Sequence, residues 1–166
     1  MPSVGYRSVS CMSQVEVEDT GSPWIISRSI EVEAPAERIF ELLADPRRHA
    51  DFDGSGCVKG SVSGPERLSI GAKFGMDMRL VVPYRIGNQV KEFDEGRRIA
   101  WAHLGGHRWR YELESLPDGT TRVTETFDAT TARSARALKL MDAYNRNARA
   151  IEETLPRLKA LAEGEQ

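Results

Sequence analysis

Residues 97–130 read RRIAWAHLGGHRWRYELESLPDGTTRVTETFDAT. Large apolar side chains alternate with polar ones around two turn signals, Gly105-Gly106 and Pro117-Asp118-Gly119. This is the period of two expected of antiparallel strands. The second turn bears directly on the pairing. A two-residue turn at Asp118-Gly119 would pair Pro117 with Thr120 and set Arg110 and Glu112 on the face of Val123 and Phe127. A three-residue loop, with Gly119 in the left-handed region, pairs Leu116 with Thr120 instead. Leu113 then faces Val123, Tyr111 faces Glu125 and Trp109 faces Phe127, while Glu114 meets Arg122 on the other face. A slip of one residue reverses every side chain, so the apolar pattern selects the three-residue loop. The same register puts Glu125 on the apolar face. A lone buried carboxylate is costly without a partner, and the Tyr111 hydroxyl is the nearest donor. The Gly105-Gly106 turn leaves two registers open. A three-residue loop aligns Trp101 with Trp109 and turns His103 inward; a two-residue turn sets Ala102 opposite Trp109. The large apolar residues favour the first.

Upstream, Phe74, Met76, Met78 and Leu80 alternate with Lys73, Gly75, Asp77 and Arg79, and a further strand covers Tyr84 to Phe93. From Ala72 to Phe127 the chain therefore reads as a meander of four or five strands, with a weaker strand at Cys57 to Ser63 before it. Trp24 to Glu33 is rich in β-branched residues and reads as the first strand. In the following APAERIFELLADP, Ala36, Ile39, Phe40 and Leu43 form one helical stripe. Pro35 suits the helix start and Pro46 its end, with a short helix or turn over Arg47 to Asp51. Downstream, Leu138, Met141, Tyr144, Ala148, Ile151, Leu155 and Leu158 recur every three or four residues. They predict one long helix from about 132 to 162, kinked or split by Pro156 near Thr154. Residues 1–22, poor in large apolar side chains, read as a mobile tail before a domain at 23–163.

The chain has 166 residues, enough for one domain, and a net charge of -2. That charge gives no general argument for nucleic acid or an anionic membrane. No apolar run is long enough to span a bilayer, and no secretory leader is recognisable. Cys11 and Cys57 are read as free thiols, which fits a reducing cytoplasm.

The order of strand, helix, antiparallel meander and long terminal helix is α+β. The segments IEVEAPAERIFELLADPRRHADF (30–52) and RRIAWAHLGGHRWRYELESLPDGTTRVTETFDAT (97–130) resemble the opening and the terminal meander of START-like (SRPBCC) proteins. Within that superfamily the likeness is to the polyketide cyclase/dehydrase and Bet v 1-like members. The resemblance covers about residues 24–162. It implies a helix-grip fold, in which a curved sheet of about six or seven strands wraps around the C-terminal helix, with one or two short helices after the first strand. It also implies an enclosed lipid, polyketide, sterol or other apolar ligand. Relatives often carry a tryptophan after the first helix; here Phe52 and Asp53 stand in that region.

The candidate ligand-binding residues are Phe74, Met76, Met78, Tyr84, Asn88, Trp101, Trp109 and Phe127 on the sheet, with Met141, Tyr144 and Ala148 on the helix. His103, Tyr111 and Glu125 are the candidate catalytic residues, since a cyclase or dehydratase acting on a polyketone needs proton-transfer groups. The bland alternative is a satisfied polar network that orients a ligand. Carriage or sensing of a hydrophobic molecule is therefore the leading expectation, and enzymatic cyclisation the second. A third is an interaction module using the basic run Arg133, Arg136, Lys139, Arg146 and Arg149, although a solvated helix face explains that run more simply. His49, His103 and His107 lack metal-ligand spacing, and no P-loop or dinucleotide fingerprint occurs, so neither metal nor cofactor nor nucleic-acid partner is expected.

Overall fold

A computed structural model describes residues 14–79 and 83–164, with the side chains of 59–62 and 84 outside the description. Strands β1 (Glu16–Val17) and β2 (Ile25–Val32) lead into α1 (Ala36–Ala44), a 3-10 turn (Pro46–Arg48) and α2 (His49–Phe52). Six strands follow: β3 (Val58–Ser63), β4 (Lys73–Arg79), β5 (Pro83–Asp94), β6 (Arg98–His103), β7 (Arg108–Ser115) and β8 (Thr121–Asp128). The chain closes with α3 (Ala135–Leu140) and α4 (Ala143–Gly164). All strands join one antiparallel sheet in the order β1-β2-β8-β7-β6-β5-β4-β3, so β2 returns to pair with the last strand of the meander. Helix α4 packs against β2, β8, α1 and α2. This is the α+β helix-grip architecture, with eight strands where six or seven were expected. The difference lies in β1, whose Glu16 and Val17 pair with Ser29 and Arg28. A stretch expected to be tail thus adds an edge strand, and the Ser29 hydroxyl bonds the Glu18 carboxylate beside it. Residues 1–13 of the expected tail lie outside the described residues.

Both hairpins take the register favoured by the apolar pattern. Leu113 pairs with Val123, Tyr111 with Glu125 and Trp109 with Phe127. The Leu116 N–H donates to the Thr120 carbonyl at 2.9 Å, and Gly119 adopts φ +86°, a left-handed conformation that glycine tolerates freely. Trp101 pairs with Trp109, and four residues, Leu104 to His107, join β6 to β7.

The C-terminal helix corrects one expectation. It breaks at Asp142, not near Pro156. Met141 ends α3, Asp142 takes φ 53°, and α4 then runs unbroken through Pro156 to Gly164. Aspartate visits the left-handed region more readily than most residues, and here its side chain also accepts a hydrogen bond from Asn145 at 2.6 Å. Pro156 does not split α4 because Ile151, Leu155, Leu158 and Ala162 bury the turns on both sides of it. Those residues meet Ile39, Phe40 and Leu43 of α1 and Val32, Ile99, Leu113 and Val123 of the sheet in a solid core. The N-terminal half of α4 presents smaller and more polar residues, and there the interior opens.

Candidate functional site

The opening is a cavity of about 780 Å³ between the sheet and the helices. Its sheet wall is Met76 and Met78 of β4, Ile86 and Asn88 of β5, Trp101 and His103 of β6, Trp109 and Tyr111 of β7 and Glu125 of β8. Alternation along each strand brings these side chains to one face. His49 and Phe52 of α2, with Asp53 and Gly54, close one end. Leu138, Met141, Ala143, Asn147, Ala150 and Thr154 cover it from α3 and α4, with Arg146 and Arg149 at its edge.

The loop after α2 is clamped to α4. The Gly54 N–H donates to the Thr154 hydroxyl at 2.9 Å, and Arg157 donates to the Asp53 carbonyl at 2.5 Å. A Cβ on Gly54 would sit 2.3 Å from the Ala150 carbonyl oxygen, so only glycine permits the approach.

Tyr111 and Glu125 meet inside this cavity, both almost wholly buried. Burial pushes the Glu125 carboxyl up to about 8, with a further push from the Asp53 charge and an opposing pull from the Tyr111 hydrogen bond. At neutral pH it is mostly the protonated acid. Its Oε2 has no hydrogen-bond partner in the protein. Burial, the Glu125 charge and the same hydrogen bond raise the Tyr111 hydroxyl well above its usual value.

His103 and His107 form a pair across the β6–β7 loop, Nε2 to Nε2 at 2.6 Å. The Gly105 N–H donates to His103 Nδ1 at 3.0 Å, which assigns the proton of neutral His103 to Nε2 and that of His107 to Nδ1. Desolvation lowers both, and His107, which also feels the His103 charge, falls to about 4. Both rings are therefore neutral at pH 7. Among the described residues no group of three His, Cys, Asp or Glu could hold a metal ion.

Of the residues expected at the site, Met76, Met78, Asn88, Trp101, His103, Trp109, Tyr111, Glu125 and Met141 line the cavity. Four others do not. Phe74 lies beyond the cavity end, edge-on to Trp101 and His49 at 5.7 Å. Phe127 is fully buried against Trp109 and Tyr144. Tyr144 packs on Trp24 and donates to the Ala135 carbonyl at 3.3 Å. Ala148 also lies off the wall. The reason for the last two is the break at Asp142, which gives α4 a phase of its own and turns Ala143, Asn147, Ala150 and Thr154 inward. The side chain of Tyr84 lies outside the description.

Sequence reasoning missed His49. It is 3% exposed, stacks on Trp101 at 4.9 Å with an interplanar angle of 20°, and bonds the Leu43 carbonyl through Nε2 at 2.8 Å. Desolvation lowers it to about 4, and its Nδ1 has no partner. The available signal was His49 and Phe52 on one side of a single helical turn, directly after the buried stripe of α1. A shallower groove of about 990 Å³ borders the cavity at Asn88 and His103 and carries Lys73, Arg85, Lys91 and Arg133. The paired Tyr111 and Glu125 line the cavity and not this groove.

The family model for polyketide cyclase / dehydrase and lipid transport matches residues 23–163. The chain belongs to this family. Its sequence is 45% identical over 159 residues to the protein Rv0088 of Mycobacterium tuberculosis, covering 93% of this chain and 70% of that protein. Its fold is similar to that of the protein Ms6760 from Mycobacterium smegmatis, with a TM-score of 0.62 at 17% identity over 91% of this chain and 98% of that one. A protein from Rhodobacter sphaeroides superposes with a TM-score of 0.68 at 13% identity over 92% and 100% of the two chains. These structural likenesses show the fold alone. In this member of the polyketide cyclase/dehydrase and lipid transport family, the cavity holds a carboxylic acid, a phenol and three histidines set among aromatic and Met side chains. Such an array can hydrogen-bond a neutral polar group or move a proton to or from one.

Proposed function

We propose that the domain binds and carries, or senses, a small hydrophobic molecule such as a lipid or polyketide, held between the sheet and α4. The observation that carries this reading is the cavity itself. Folded interiors are packed with few voids larger than water, whereas ligand sites occupy roughly 300–1,000 Å³ with apolar walls and a few polar groups. A volume of about 780 Å³ walled by Trp101, Trp109, Met76 and Met78 matches the second description. A cytoplasmic setting is part of the proposal, supported by the free thiol of Cys57. Native mass spectrometry of gently purified protein, followed by solvent extraction, tests it. A bound small molecule of matching mass in the extract is expected. An empty protein that also ignores a broad lipid and polyketide panel overturns it.

The pairing of Glu125 with Tyr111, and His103 on the same wall, favours a second reading. A carboxyl with a pKa of about 8 is protonated at neutral pH and suits a general acid in cyclisation or dehydration of a polyketone-like substrate. Turnover of such a substrate, lost in Glu125→Gln while binding persists, is the result that would establish it.

A further inference from the structure

We propose that the inner wall of the cavity selects a neutral, hydroxyl-bearing apolar molecule, an alcohol or phenol, through His49 and Glu125. This rests on the cavity being a ligand site and adds the chemical group that the ligand carries. Among the described residues that line the cavity, three side-chain atoms are buried and unpartnered: His49 Nδ1, His107 Nδ1 and Glu125 Oε2. His49 and Glu125 are each only 3% exposed and carry the inference, whereas His107 is half-buried and its Nδ1–H is a second donor. A buried polar group without a partner is costly, so several lining one cavity point to a partner that comes from outside the chain.

Their hydrogen-bonding characters differ. The Nε2–H of His49 is committed to the Leu43 carbonyl, which leaves Nδ1 as a bare acceptor. Glu125 Oε2 is the carboxyl oxygen without a partner, and burial keeps the carboxyl protonated at neutral pH, so Oε2 can present an O–H donor. Trp101 stacks on His49 and lies 5.7 Å from the Tyr111 ring, forming an apolar surface between acceptor and donor. A hydroxyl both donates and accepts, so it can meet either atom, donating to His49 or accepting from Glu125. An ether or ketone accepts from Glu125 and leaves His49 unmet. A carboxylate or phosphate has no proton for His49 and brings a second negative charge toward Asp53, which already acts on Glu125. The wall therefore discriminates by the proton the ligand donates and by its charge.

The test uses three probes of equal chain length, 1-decanol, decyl methyl ether and decanoate, titrated into the whole protein and read by tryptophan emission. Decanol should bind roughly tenfold or more tighter than either of the others, the usual worth of one well-made hydrogen bond to a buried group. His49→Phe keeps a ring on Trp101 but no acceptor and should erase most of the alcohol-over-ether preference. Glu125→Gln, which still offers a donor, should retain it. Equal affinities, or decanoate binding tightest, overturns the hydroxyl inference and leaves the cavity reading intact. Failure of all three probes in a protein that also carries no extractable molecule overturns both. The comparison on the unaltered protein decides the matter even where His49→Phe does not fold.

Discussion

Tyr111 of β7 and Glu125 of β8 stand directly opposite each other, and both side chains are buried against an otherwise largely apolar cavity. The pair makes the interior sensitive to pH. The folded Glu125 carboxyl, at about 8, holds its proton more tightly than the unfolded one at 4.5. Its stabilising contribution is full below about pH 4.5 and is lost as pH rises toward 8. At pH 7 the loss is on the order of 3 kcal/mol relative to pH 4. Urea unfolding between pH 5 and 8 should show Glu125→Gln losing less stability with rising pH than the unaltered protein. Parallel pH profiles would refute the assignment.

His49 acts in the opposite direction. Its folded value of about 4 lies below the ordinary 6.5 because burial disfavours the imidazolium. Its contribution is present above pH 6.5 and is lost as pH falls toward 4, again on the order of 3 kcal/mol. His49→Phe should flatten the acid limb of the stability curve, whatever it does to stability at neutral pH. An unchanged acid limb in that variant would mean that His49 is not buried neutral.

The inward face of α4 can be probed with bulk. Ala150 lies on the cavity wall and Ala148 does not. Ala150→Phe should weaken ligand binding by roughly tenfold or more by filling the space, while Ala148→Phe should leave binding nearly unchanged. Calorimetric titration of both variants measures the contrast. Equal effects would mean that α4 is turned differently from the phase described above.

Gly54 offers a backbone test. The clash of a new Cβ with the Ala150 carbonyl and the Thr154 amide predicts that Gly54→Ala costs more than about 2 kcal/mol in chemical denaturation. Gly87→Ala is the control. A Cβ there meets nothing within 4 Å, and its effect should stay within about 0.5 kcal/mol.

The parts of this fold that were legible in sequence are those set by local chemistry. The Pro117-Asp118-Gly119 loop and the apolar alternation beside it specified the β7–β8 register, and with it the inward position of Glu125. The Trp101–Trp109 pairing followed from the same reasoning. The break at Asp142 was not legible, because Met141 and Tyr144 continue a helical period straight across it. A periodic pattern reports which side of a helix is apolar, not whether the backbone turns between two of its residues. That single left-handed residue moved Tyr144 and Ala148 off the expected wall. His49 was hidden for another reason. Its burial depends on Trp101, more than fifty positions away, and no local pattern reports such a contact. The edge strand at Glu16–Val17 is too short to carry a period at all.

The pairing of β2 with β8 has a consequence for biosynthesis. Ile25 meets Asp128 and Val32 meets Thr121, so the first long strand waits for a neighbour made about a hundred residues later. At ribosomal speeds of about 5–20 residues per second, that delay lasts roughly 5–20 s. Throughout it, the apolar Ile30 and Val32 have neither their sheet partner nor α4 to cover them. The hairpins from β4 to β7 close over short loops and can form as the chain emerges, because local contacts precede distant ones. The β2 strand instead remains exposed to chaperones, or to a neighbouring nascent chain, until β8 and α4 have been made.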